Sequence, residues 1–119
     1  MSYLFIEYPK CTTCIKAKKF LSSNGVEFND RHIVENNPTE QELSKWIEKS
    51  GLPINKFFNT SGKLYREMEL KDKVKSLPKE ELISILASNG MLVKRPILIT
   101  DNKVIVGFKE AEWLEVIKQ

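Results

Sequence analysis

Tyr8-Pro9-Lys10-Cys11-Thr12-Thr13-Cys14-Ile15-Lys16-Ala17-Lys18-Lys19-Phe20-Leu21 decides how this chain reads. An apolar run, Tyr3-Leu4-Phe5-Ile6, leads into it, and an amphipathic run leads out to Asn24-Gly25. Cys11 and Cys14, the only cysteines present, thus sit where a strand over residues 3–8 hands over to a helix over residues 14–24. The first sulfur falls near the helix N-cap and the second lies one turn further in. Unpaired N–H groups and the positive end of the helix dipole stabilise a thiolate there, so the Cys11 pKa is expected below the free value of about 8.5. Cys11 is the predicted nucleophile and Cys14 its resolving partner.

Other uses of the pair meet arithmetic obstacles. A structural zinc site needs four ligands, and His32 is the only further Cys or His, so zinc stays open only with carboxylates or across a dimer. No metal or cofactor is expected. A secreted disulfide scaffold would use more cysteines, and the opening residues have neither a basic start nor a long apolar region, so no export signal is expected. The compartment expected is the reducing cytoplasm, where a C-x-x-C is read as catalytic or sensory rather than structural.

Composition narrows the partners. With 119 residues the chain is read as one domain able to bury a core without disulfides. No apolar run approaches the roughly 20 residues of a membrane span. Nineteen Lys and Arg against 16 Asp and Glu give a formal charge of +3. Acids and bases alternate through most of the chain, so there is no concentrated basic face for direct nucleic-acid binding.

Working outward, Ile15, Ala17, Lys18, Phe20 and Leu21 supply the partly apolar face of the first helix, and Asn24-Gly25 ends it. Val26 to Val34 resumes an extended pattern, giving β-α-β with the usual right-handed crossover. Thr39 followed by Glu42 is a capping-box signature for a helix carrying Leu43, Trp46 and Ile47, stopped by Ser50-Gly51. Residues 53–74 are irregular with helical flavour, broken by an Asn59-Thr60-Ser61-Gly62 turn. Another helix runs from about Pro78 to Ser88 with Leu82, Ile85 and Leu86 on its apolar face. Ile97 to Thr100 and Lys103 to Val106, joined by Asp101-Asn102, form a hairpin. A last helix from Glu110 to Lys118 is expected to face inward through Ala111, Leu114 and Ile117. The order is β-α-β, several helices, then β-β-α. The fold class is α/β: a four-stranded mixed sheet of thioredoxin-like architecture, with a helical insertion at about residues 38–90.

Several stretches together resemble the arsenate reductase (ArsC)/Spx group of thioredoxin-like proteins over essentially the whole chain. They are Tyr8 to Cys14, Glu35 to Leu43 with Asn37-Pro38-Thr39, the Phe57-Phe58-Asn59-Thr60-Ser61-Gly62 turn, and Lys94-Arg95-Pro96-Ile97. The likeness is closest to the short C-x-x-C members. It implies Cys11 as redox nucleophile, Arg95 close to it, and Pro96 as a cis-proline packed beside the cysteines where an incoming disulfide substrate pairs. The arsenate reductases of the group carry three arginines around their nucleophile; here Arg95 remains, while Asn59 and Phe108 stand at the other two positions. Those enzymes typically draw on glutathione and lack a second cysteine at the position of Cys14. Spx-type regulators keep C-x-x-C and R-P-I, bind the RNA polymerase alpha subunit, and usually have a longer C-terminal tail.

The implied function is a thiol-disulfide oxidoreductase acting on a thiol or disulfide protein substrate, with thioredoxin or glutathione as reductant. The alternatives are an Spx-type redox-sensing regulator and an arsenate reductase. Arg95 serves the thiolate or an anionic ligand through its planar fork of donors, or else is a surface ion-pair partner. Thr12 and Thr13 either donate to a thiolate or cap the helix. Asn59 and its turn either border the site or lie on an ordinary surface. Lys10 and Lys16 are read as solvated, His32 as a half-buried strand residue rather than a base, and Trp46 and Trp113 as core.

Overall fold

A computed structural model describes residues 2–118. Strands β1 (Leu4–Glu7), β2 (Asn29–His32), β3 (Ile97–Ile99) and β4 (Val104–Val106) form one sheet in the order β2-β1-β3-β4. The β1–β2 pair is parallel, and the β1–β3 and β3–β4 pairs are antiparallel. Helix α1 (Thr12–Ser23) makes the crossover, and α6 (Glu110–Ile117) follows the hairpin. Between β2 and β3 lie α2 (Glu40–Ser50), α3 (Lys63–Glu67), α4 (Leu70–Ser76) and α5 (Lys79–Ser88), with 3₁₀ turns at Ile54–Phe57 and Gly90–Leu92. Among the described residues no helix is long and apolar enough to cross a membrane.

Alternation along the strands separates two cores. Phe5 and Leu98 pack with Ala17, Leu21, Trp113 and Val116 beneath α1 and α6. Ile6, Ile97 and Val104 point the other way, onto Leu43, Trp46, Ile47, Leu82 and Leu86 of α2 and α5. The helical insertion thus covers one face of the sheet, and the dithiol helix with α6 covers the other.

The capping box at α2 is complete: the Glu42 N–H donates to Thr39 Oγ1 at 3.1 Å and the Thr39 N–H to Glu42 Oε1 at 3.0 Å. The Glu42 carboxylate also takes a fork from Arg31 at 2.7 and 2.8 Å, which is the main reason its pKa is held down to about 2. Arg31 thereby ties edge strand β2 to the insertion. Gly90 makes a tighter link. An added Cβ would land on the Ile33 carbonyl, so the turn at Gly90–Leu92 can lie against residues 33–34 only without a side chain.

Several expectations need correction. Ile15, read on the apolar face of the first helix, is 55% exposed, and on α5 Ile83 is buried with Leu82 and Leu86 while Ile85 is only partly covered. Helix α1 begins at Thr12, two residues earlier than the apolar pattern alone places it, because Cys11 is the N-cap. The buried residues of α6 are Trp113 and Val116, while Ala111 is exposed and Leu114 and Ile117 are only partly covered. The indole N–H of Trp113 donates to the Gly107 carbonyl at 2.9 Å. That bond, made just after the left-handed Gly107 (φ +79°), sets the helix phase.

Candidate functional site

Cys11 has extended backbone angles (φ −83°, ψ 122°) and closes the turn out of β1 by donating its N–H to the Tyr8 carbonyl at 2.9 Å. Its carbonyl accepts the first helical bond, from the Ile15 N–H at 3.0 Å. α1 has no side-chain cap, so Thr12 and Thr13 are exposed first-turn residues and cap nothing. The cysteines are both free, Cys11 half-buried and Cys14 fully buried.

The two sulfurs are electrostatically opposite. Partial burial works against a thiolate at Cys11, but the Cys14 N–H, the Cys14 thiol, the Thr13 N–H and the Arg95 guanidinium outweigh it and hold the pKa below the usual thiol value. Burial pushes Cys14 up to about 12, and the neighbouring Cys11 adds to the rise, while the Tyr8 N–H and Arg95 oppose it. The pair therefore sets the more acidic thiol at the rim and the less acidic one beneath it. Thr13 reaches Cys11 through its amide, not its hydroxyl.

Arg95 comes from the far end of the chain and is held on two sides. Its Nη1 donates to the Met91 carbonyl at 3.3 Å, and its Cζ lies 5.1 Å from the centroid of the Tyr8 ring. Its effect on Cys11 is the weakest of the four favourable contributions. Pro96 follows it, buried, and the Arg95–Pro96 peptide bond is cis. The Asn59 side chain donates to the same Met91 carbonyl at 3.5 Å, and its backbone N–H donates to Leu92 at 2.8 Å. The Asn59–Gly62 turn therefore adjoins Arg95 across a pocket of about 370 Å³ that Lys63 and Met91 also line.

Other residues lie apart from the sulfurs. His32 Nδ1 accepts the N–H groups of Val34 and Glu35, each at 3.1 Å, and its ring meets Tyr8 edge-on at 5.8 Å, so it braces the ring under Arg95. Phe108 packs on Phe20 and Trp113 at 5.5 and 5.0 Å between α1 and α6. Trp46 and Trp113 are both core, and Lys10 and Lys16 are exposed.

Sequence reasoning gave no role to Tyr8, to the Met91 carbonyl or to Glu7. A backbone acceptor leaves no mark on side-chain identity. Glu7 looked like one residue of an apolar strand, yet it is only 4% exposed, with Lys18 Nζ 3.3 Å away; the same Nζ is 2.6 Å from Asp30. Burial first, then the Asp30 carboxylate, raises Glu7 to about 7 against the pull of Lys18.

Sheet order, helix placement and a free dithiol at the first strand–helix junction define a protein of the thioredoxin-like class. The chain belongs to the ArsC family, whose match spans residues 6–116. It is 51% identical over 115 residues to the uncharacterised protein YusI of Bacillus subtilis, covering 97% of this chain and 98% of YusI. It is 30% identical over 104 residues to the global transcriptional regulator Spx of Staphylococcus epidermidis, covering 87% and 78% of the two chains. The crystal structure of an ArsC-family-related protein from Bacteroides fragilis superposes with a TM-score of 0.94 at 52% identity, over 98% of each chain.

Proposed function

We propose that this protein is a thiol-disulfide oxidoreductase in which the Cys11 thiolate attacks a disulfide and Cys14 resolves the mixed intermediate. The observation that carries this reading is the contrast within the pair: Cys11 is half-buried with its pKa lowered, and Cys14 is buried with its thiol pushed up to about 12. In the first step a Cys11–substrate S–S bond forms as the substrate disulfide breaks, and the departing sulfur takes a proton from water. Cys14 then loses its proton and attacks the Cys11 sulfur, closing the internal disulfide and releasing the second substrate thiol. The substrate gains two electrons and the pair loses them. A thiol reductant, thioredoxin or glutathione, must supply two electrons to reopen the disulfide.

The test is trapping. Cys14→Ser should accumulate a stable mixed disulfide through Cys11 when mixed with a disulfide substrate, and Cys11→Ser should not. Mild oxidation of the unsubstituted protein should give a monomer two hydrogens lighter by non-reducing mass analysis. A predominant intermolecular dimer, or adducts through Cys14, would contradict the assignment.

The relationship to Spx supports a second reading, a redox-sensing regulator that binds the RNA polymerase alpha subunit when Cys11 and Cys14 change state. Binding of that subunit that differs between reduced and oxidised protein, without turnover, would favour it. Arsenate reduction has less support. Of the chain's three arginines, Arg31 is held by Glu42 and Arg66 donates to the Ser61 carbonyl at 3.1 Å, leaving Arg95 beside Cys11. Asn59 and Phe108 offer no guanidinium in place of the two others that the resemblance would require.

A further inference from the structure

The surface flanking Cys11 has an unusual charge. Between Glu7 and Glu27 the sequence holds four lysines, at 10, 16, 18 and 19, and no carboxylate. Lys18 is engaged by Glu7 and Asp30. Lys10, Lys16 and Lys19 are exposed and, among the described residues, make no ion pair. Ile15, four residues after Cys11 and thus one turn along α1, is 55% exposed, a large apolar side chain left in water beside the nucleophile. Glu7, Pro9, Ile15, Lys18, Lys19 and Ser22 line a shallow groove of about 300 Å³. The groove starts at Pro9, in the turn before Cys11, and runs along one flank of α1 past Ile15 to Lys19, with Lys10 and Lys16 on the neighbouring surface outside its lining.

Resting on the exchange reaction proposed above, we infer that this groove docks an acidic, extended protein segment that carries the disulfide, with an apolar residue seated on Pro9 and Ile15. Charge complementarity selects that partner. Three free ammonium groups and the N-terminal end of α1 attract carboxylates and repel a basic segment; α1 carries no carboxylate, and the two acidic groups beside the groove, Glu7 and Asp30, are both taken up by Lys18. The apolar contact sets the register of the segment so that its disulfide meets Cys11. In the reaction the segment's S–S bond breaks as the bond to Cys11 forms, and Cys14 completes its reduction.

Single-turnover oxidation of the reduced protein by three disulfides tests this: neutral hydroxyethyl disulfide, and two leucine-containing peptide disulfides that differ only in carrying glutamates or lysines. At about 0.01 M ionic strength, where the screening length is about 30 Å, the glutamate peptide should react about tenfold faster than the lysine peptide. At about 1 M salt, with screening within about 3 Å, the two rates should converge. The double variant Lys16→Glu/Lys19→Glu should erase or invert the preference at low salt. Equal peptide rates at low salt, or preference for the lysine peptide, while the neutral disulfide still reacts, would overturn the docking inference and leave the exchange chemistry standing. Failure of all three to oxidise the pair would overturn both.

Discussion

Replacing Arg95 by methionine isolates what its charge does to Cys11, because methionine keeps an unbranched side chain against the Tyr8 ring. A hydrogen bond to a charged group contributes about 1.5–3 kcal/mol. Arg95 is the weakest of the four groups that favour the Cys11 thiolate and is itself partly exposed, so the low end applies. About 1.4 kcal/mol is tenfold in thiolate fraction at any pH below the titration midpoint. The variant's thiolate is more basic, and with a Brønsted coefficient of about 0.5 it is about threefold more nucleophilic. Arg95→Met should therefore react about threefold slower with a neutral dipyridyl disulfide at low pH, and about threefold faster once both proteins are fully ionised. Stopped-flow absorbance of the released pyridinethione across pH gives both limbs, and the two profiles should cross. Slowing by one constant factor at every pH would mean that Arg95 holds the reagent and does not tune the sulfur. Superimposed profiles would remove it from the site.

Glu7→Gln should change how stability depends on pH. The folded pKa of Glu7, about 7, lies above its ordinary 4.5, so its protonated form contributes stability that is complete at low pH and is lost as pH rises through 7. Asp30 is shifted down and acts oppositely, losing its contribution as pH falls through the acid range, which separates the two. Urea unfolding should show a decline of up to about 3 kcal/mol between pH 4.5 and 7.5 that the variant lacks; an equal decline in Glu7→Gln would refute the assignment. Gly90→Ala should cost about 3 kcal/mol or more in the same assay, since the new methyl meets backbone at Ile33. Gly25→Ala, at φ +70° with nothing within 4 Å, should cost only about 1–2 kcal/mol. Equal losses for the two glycines would mean that the turn at Gly90 yields easily.

What the sequence alone determined was local. Thr39 and Glu42 specify a helix start because both halves of the capping box lie within one turn. The place of Cys11 at the amide-rich end of α1 was legible because the N-cap lies within one turn of sequence, whereas the rise at Cys14 comes first from burial. The hairpin across Asp101-Asn102 was legible for the same reason: Thr100 and Lys103 close it with a 2.8 Å bond between near neighbours. Only the tertiary structure decided which groups converge from a distance. Tyr8 and Arg95 meet because β3 pairs with β1, and a carbonyl at Met91 anchors both Arg95 and Asn59. The phase of α6 followed from an indole bond to Gly107, and Glu7 became a titrating group because α1 and β2 bury it beside Lys18 and Asp30. Periodicity records which residues are apolar, whereas desolvation and long-range pairing depend on what the rest of the chain lays over them.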